Sequence, residues 1–166
     1  MIDLKREGDV FVFVGDGSYL MMNSDLYSTV LSGHKMIVVV CDNGGFAVIN
    51  RLQTGQGGRP FNNLLADARL APAHDGQVVE VDFAAHAASM GCGAETVGSI
   101  EELQAAVGRA RASDRTYVIA MKVDAYSWTE GGSFWQVGVP EVSNLQSVLD
   151  ARAEIDKGTA DQRVGW

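Results

Sequence analysis

The sequence predicts an α/β domain built on a mostly parallel sheet with helices on both faces. Three observations carry that prediction. Two continuous apolar runs, Val10–Val14 and Met36–Cys41, have the length of buried parallel strands and are separated by about one helix of chain. A third long apolar run covers Thr116–Val123. Between the second and third runs, strand-like and helix-like segments alternate, which is the pattern of βαβ units.

Taken in order, Val10-Phe11-Val12-Phe13-Val14 stops at Gly15-Asp16-Gly17-Ser18. Tyr19 to Leu31 reads as a helix, with Met22, Leu26, Thr29 and Val30 at rough helical spacing and Gly33 as its stop. Together with the second strand this makes a compact βαβ unit, for which a right-handed crossover is expected. Asn43 to Pro60 holds five glycines together with Asn50, Arg51, Gln53 and Gln56, a composition that suits a loop ordering over a ligand. Phe61 to Arg69 adds a short helix, and Val78–Val81 reads as a short strand or extended lead-in. Asp82 is an N-cap for a helix from Phe83 to Met90, closed by Gly91. Ala94–Val97 is a short strand. Ser99 with Glu102 three residues later has the form of a capping box, opening a helix to Ala112. Pro140-Glu141 opens a last helix, proline being tolerated in a first turn. There is no internal repeat and no low-complexity segment.

The 166 residues suffice for one domain with a sizeable core, and a single domain is expected over 1–166. Apolar residues at 46% and charged residues at 20% are ordinary for a globular chain. A net charge of −8 argues against general nucleic-acid binding, because no broad face can neutralise a phosphate backbone. It leaves room for one phosphate-bearing cofactor held through a metal. Cys41 and Cys92 lie far apart with no CxxC pairing, so neither a zinc site nor a disulfide framework is indicated. The charged start Met1–Glu7 is unlike a signal peptide, and Met36–Cys41 is too short to span a bilayer. A cytoplasmic protein without membrane partners is therefore expected.

The chemistry concentrates between Gly15-Asp16-Gly17-Ser18 and Asp42-Asn43-Gly44-Gly45. Asp16 falls where the first strand ends, the edge at which open α/β sheets bind ligands. Gly15 and Gly17 allow a tight turn and close backbone approach. A helix N-terminus after Ser18 suits phosphate oxygens. Asn43 lies just past the end of the next strand, so both side chains emerge at one sheet edge. A carboxylate and an amide oxygen are hard ligands suited to magnesium, which completes its shell with phosphate and water. The GDGS turn alone is weak, and a plain strand-to-helix turn capped by Asp16 explains it equally well. The full order of strand, GDGS, helix, strand and DNGG is far more specific.

That order resembles the pyrophosphate-binding domain of the thiamine-diphosphate enzymes. The resemblance implies Mg2+ ligated by the side chains of Asp16 and Asn43 and the carbonyl of Gly45. It also implies a thiamine diphosphate site formed by Gly15, Asp16, Gly17, Ser18, Asn43, Gly45 and Phe46. Asp42 stands where that family usually has the first residue of an Asn-Asn pair, a modest departure. A narrower resemblance covers nearly the whole chain. GDGSYLMMNSDL, CDNGGFAVINRLQ, VDFAAHAASMGCGAETV and FWQVGVPEVS look like the trihydroxycyclohexanedione hydrolases of myo-inositol breakdown. Ile49–Gln53 and Val137–Ser143 are its most telling pieces. The implied reaction is hydrolysis of a C–C bond in a cyclic 1,2-diketone, giving 5-deoxy-glucuronate.

The resemblance also implies parts that these residues do not include. Family members are several times longer, with a pyrimidine-binding domain and a middle domain first. The glutamate that activates the cofactor, the residue that bends it, and the opening strand and helix of the pyrophosphate domain all fall upstream of Met1. The chain then reads as the N-terminally truncated C-terminal domain of a larger enzyme. It would be inactive alone and completed by a pyrimidine-binding domain from another subunit of a homo-oligomer. The catalytic residues are not assigned.

Other residues have plainer readings. His34 follows a helix-ending glycine, His74 lies in a polar turn, and His86 on a short helix is a satisfied structural histidine. Ser18 lacks the GxSxG pattern of a nucleophile. Glu101-Glu102 is a helix face and Asp124 a strand end. Arg51, Gln53 and Arg59 either face a polyhydroxylated substrate or belong to a solvated loop. Trp128, Phe134 and Trp135 bury against a partner chain or against their own core. Two rival functions remain open: a thiamine-dependent acetolactate synthase or decarboxylase, and a non-catalytic α/β interaction module.

Overall fold

The computed structural model describes residues 8–67, 80–128 and 138–162. Its centre is a four-stranded, all-parallel sheet in the order β1-β2-β4-β3. The strands are β1 (Phe11–Gly15), β2 (Ile37–Asp42), β3 (Gly93–Val97) and β4 (Tyr117–Lys122). The three long apolar runs are therefore strands, as their composition predicts. The helices are α1 (Asp16–Met22), α2 (Ser24–Ser32), α3 (Ala47–Gly55), α4 (Phe83–Ser89), α5 (Ile100–Ala112) and α6 (Gln146–Ala160).

Alternation along the strands sorts the core into two layers. Val12 and Val14 stand beside Val38 and Val40, and these beside Val118 and Ala120. This face packs against Tyr19 and Leu26 of α1 and α2 and against Phe83 and Ala87 of α4. The opposite face carries Ile37, Ile119 and Val97 and packs against Ala106 and Ala110 of α5. β2 is covered on both faces, which is why its sequence is continuously apolar rather than alternating. β1 differs: Phe11 and Phe13 point to the α5 side and are 42% and 71% exposed. The chain is thus covered on both sides of its central strands, and β1 on one side only among the described residues.

Several boundaries depart from expectation. The helix expected over Tyr19–Leu31 is two helices and begins earlier, at Asp16. The break falls at Asn23, whose side-chain amide donates to the Leu20 carbonyl at 2.9 Å and competes with the helical ladder. Gly33 closes α2 in the left-handed conformation, φ 70°, as predicted. Half of the ligand loop expected over Asn43–Pro60 is helix α3, with the glycines gathered at its two ends. Of the helix expected over Phe61–Arg69, the described residues 61–67 hold only a short 3-10 turn, Leu65–Asp67. The last helix starts at Gln146 rather than at Pro140.

The predicted caps of α4 and α5 are present. Asp82 accepts from the Ala85 N–H at 2.9 Å, and Ser99 from the Glu102 N–H at 3.1 Å. Glu102 completes the box one residue early, accepting from Gly98 at 2.7 Å. His86, read from sequence as a satisfied structural histidine, has a partner: its Nδ1 lies 2.9 Å from the Tyr19 hydroxyl. Burial, with a smaller contribution from Cys92, pushes the Tyr19 phenol up to about 12. Residues His74, Val78, Val79, Phe134 and Trp135 lie outside the described residues. Among the described residues, no helix is long and apolar enough to cross a membrane.

Candidate functional site

Parallel strands deliver their carboxyl ends to one edge of the sheet. β1 ends at Gly15, β2 at Asp42 and β4 at Lys122, and the next side chains meet there. The β1–β2 connection and the β3–β4 connection pack on opposite faces, so this edge is a topological switch point. A cleft of about 170 Å³ opens at it, lined by Asp16, Gly17, Gly45 and Phe46, with Asp42 and Lys122 at its side. Leu64, Leu65 and Phe83 supply much of its apolar wall.

Asp16 is the first residue of α1 and is only 4% exposed. Its Oδ2 accepts from the Gly45 N–H at 2.5 Å. Burial raises its pKa above the ordinary 3.8; the N–H groups of Gly45 and Gly17 oppose this, and the neighbouring Asp42 charge adds to it. Asn43 completes the group. Its side-chain amide reaches Asp16 Oδ1 at 3.0 Å and the Gly45 carbonyl at 2.8 Å. With its nitrogen turned inward it donates to both oxygens. With its oxygen turned inward three oxygens converge, an arrangement that a bound cation would relieve. Two adjacent ligands at ~2.1 Å from an octahedral magnesium stand about 3.0 Å apart, which matches these separations. The donor set of one carboxylate, one amide and one carbonyl therefore fits a small hard cation. Among the described residues no three His, Cys, Asp or Glu cluster as a metal site.

The turn carrying Asn43 and Gly45 is held from both sides. Gly45 has φ 137°, and a Cβ there would fall 2.5 Å from the Asn63 carbonyl oxygen. Phe46 N–H donates to Asn63 at 2.7 Å and Leu65 N–H to Gly44 at 2.8 Å, so residues 63–65 run as a short rail along the turn. Gly17 serves packing: a Cβ there would meet the Phe46 ring at 2.6 Å. Of the residues singled out from sequence, Asp16, Gly17, Gly45 and Phe46 line this cleft, and Asn43 sits against its two oxygens. Gly15 is the N-cap of α1. Ser18 lines a separate hollow beside Val12, Met22 and Leu26.

Two site features escaped the sequence reading. Asp42 is 6% exposed; it receives the Gly44 N–H at 3.1 Å and pairs with Lys122 at 2.8 Å. Lys122 also reaches Glu80 at 3.3 Å. Asp42, and then Glu80, hold the Lys122 ammonium above its usual value. The only signal in sequence was the register of two strand ends. Arg51 and Gln53 do not sit in a loop; both belong to α3, where Arg51 stacks 4.7 Å from the Trp128 ring centroid and Gln53 donates to the Arg59 carbonyl at 2.7 Å.

A parallel sheet that collects a buried carboxylate, an amide and a glycine carbonyl at its carboxyl edge defines a ligand-binding α/β domain. The chain belongs to the family described as thiamine pyrophosphate enzyme, C-terminal TPP binding domain, whose model matches residues 2–121. It is 39% identical over 148 residues to a 3D-(3,5/4)-trihydroxycyclohexane-1,2-dione hydrolase of Bacillus cereus, over 86% of this chain and 22% of that protein. To the 3D-(3,5/4)-trihydroxycyclohexane-1,2-dione hydrolase of Shouchella clausii it is 35% identical over 146 residues, 87% of this chain and 22% of that protein. The chain thus spans 22% of the length of these curated relatives. Its fold is similar to that of the thiamine diphosphate-dependent 4-hydroxybenzoylformate decarboxylase of Rhodococcus jostii RHA1, with a TM-score of 0.60 and 19% identity over 71% of this chain and 20% of that one.

Proposed function

We propose that residues 1–166 form the C-terminal pyrophosphate-binding domain of a thiamine-diphosphate-dependent hydrolase that opens a trihydroxycyclohexane-1,2-dione ring. The observation that carries the reading is the convergence of Asp16 Oδ1, the Asn43 amide and the Gly45 carbonyl, with the amide within 3.0 Å of both oxygens. Asp16, Asn43 and Gly45 would hold Mg2+, and the metal would hold the diphosphate. Gly17 and Phe46, which line the cleft, would border the cofactor, with Gly15 just before them, whereas Ser18 faces the separate hollow. The names of the relatives, which match across most of this chain, support the substrate class.

Thiamine diphosphate, when bound, supplies the electron sink that C–C cleavage needs. In the proposed reaction water adds across the bond between the two carbonyl carbons, one becoming a carboxylic acid and the other an aldehyde. The residues of this domain orient and neutralise. Asp16 and Asn43 would fix the anionic end of the cofactor, and Leu64, Leu65 and Phe83 supply apolar wall to the same cleft. The activating residues are proposed to come from a pyrimidine-binding domain of a neighbouring subunit, so the isolated chain would bind without turnover.

Calorimetry of the chain with thiamine diphosphate tests this. Binding is expected only with Mg2+ and is expected to disappear in Asp16→Ala while circular dichroism stays unchanged. Binding that ignores Mg2+, or survives Asp16→Ala, refutes the site. Supplying the remaining domains and comparing diketone hydrolysis with pyruvate decarboxylation separates the hydrolase from a decarboxylase or synthase.

A further inference from the structure

The cleft at the sheet edge is acidic for a place that is to receive a diphosphate. Among the described residues that line it, Asp16, Asp42 and Glu80 are anionic and Lys122 alone is cationic. Asp42 is the difficult one. Its side chain is 8% exposed, it sits next to Asn43 in the turn, and it is paired with Lys122. A buried carboxylate without its partner is costly, and its field reaches any charge in the same cleft. The pairing is not an accident of a flexible side chain: Asp42 and Lys122 are register partners on neighbouring parallel strands, both at the strand ends that open on the site. The lysine, 60% exposed, leans from the cleft wall onto Asp42 at 2.8 Å and is steadied on its other side by Glu80.

We propose that Lys122 is a positioning residue that acts through Asp42, cancelling its charge so that the cleft accepts a metal-bound diphosphate rather than a bare cation. This rests on the reading of the cleft as a metal–diphosphate site. Lys122 need not touch the cofactor. Without it, Asp42 adds an uncompensated negative charge, which attracts the cation and repels the anion. The two ligands should then move in opposite directions. A lysine that merely kept the turn in shape would, on removal, weaken both together.

The test is calorimetry on the full 166-residue chain with two probes, Mg2+ alone and inorganic pyrophosphate in saturating Mg2+. Lys122→Met is expected to bind Mg2+ tighter and pyrophosphate weaker, each by roughly tenfold at low salt and less at high salt. Asp42→Asn, which leaves the lysine unpaired, is expected to move both constants the other way. Lys122→Arg keeps the charge and should stay near wild type, and the double variant Asp42→Asn/Lys122→Met should return both constants toward wild type. Parallel weakening of both probes in Lys122→Met, no change in either, or a double variant that behaves like Lys122→Met overturns the inference. Wild-type chain that binds no pyrophosphate even with Mg2+ overturns the underlying site reading instead, so the two failures are distinguishable.

Discussion

Asp16 is a carboxylate buried at the carboxyl edge of the sheet, where its charge serves the fold poorly. Burial raises its pKa above 3.8, so the folded chain holds this proton more firmly than the unfolded chain does. Stability contributed by the protonated form is present below 3.8 and falls as pH rises through the raised value, leaving the fold penalised at neutral pH. Asn in this position keeps an oxygen for the Gly45 N–H and carries no charge. Asp16→Asn is therefore expected to melt higher than wild type at pH 7 without metal, with the difference shrinking toward pH 3.8. With Mg2+ and thiamine diphosphate the order should reverse, because only wild type gains the free energy of binding. Scanning calorimetry at several pH values reads both; identical melting at pH 7 in the absence of metal would show that the charge costs nothing. At this scale the site was partly legible. Asp16, Asn43 and Gly45 are marked by glycine-flanked strand ends, a local signal. The Asp42–Lys122 pair is not, because it depends on which strands become neighbours: β4 comes late in the chain but inserts between β2 and β3.

Elements were legible where burial is uniform or a cap is local. β2 and β4 read as strands because both their faces are covered, and α4 and α5 because Asp82 and Ser99 announce them. α3 was missed because its flanking glycines dominate the composition of residues 43–60. Inside them Ala47 and Asn50 form a buried helical face. The single helix expected after GDGS was too long because nothing in local hydrophobic spacing reveals the Asn23 to Leu20 hydrogen bond. The start expected at Pro140 was too early because the Ser143 hydroxyl accepts the Leu145 N–H at 3.1 Å, organising a turn just before α6. The C-terminal helix meets residue 57 at a crowded point. Gly57 has φ 79°, and a Cβ there would overlap the Ser147 carbonyl, while the Ser147 hydroxyl donates to the Gly57 carbonyl at 2.7 Å. Gly57→Ala is expected to cost about 1–3 kcal/mol through the positive φ alone and to loosen α6 preferentially. Hydrogen exchange should accelerate in Gln146–Ala160 while β2 and β4 keep their protection. Uniform acceleration across the sheet would instead make α6 part of the cooperative core.

For the molecule as a whole, one surface is more apolar than a freestanding domain would present. Met21, Met22 and Leu31 of α1 and α2 are each more than 60% exposed, and Tyr27 of α2 and Val48 and Ile49 of α3 are half-exposed. Single exposed apolar residues need no explanation, but several together on consecutive helices have the composition expected of a contact surface. The site itself points the same way, since Phe46 of the cleft wall packs on Gly17 of α1 and leaves 43% of its own surface open. The isolated chain is therefore expected to sediment as an oligomer above the 17.7 kDa of one copy, with association strengthening as concentration rises. Replacing Met21 and Met22 together by Lys places two charges on the most exposed part of α1. This should shift the distribution to monomer and leave the far-ultraviolet dichroism unchanged, because neither side chain contributes to the core clusters. Both substitutions lie outside the Asp16–Asn43–Gly45 group, so the proposed Mg2+-dependent pyrophosphate binding should persist within about twofold in the monomer, charge effects at exposed positions being screened. Sedimentation velocity across a wide concentration range decides the matter: a single monomeric boundary for wild type at every concentration would assign this surface to contacts other than self-association.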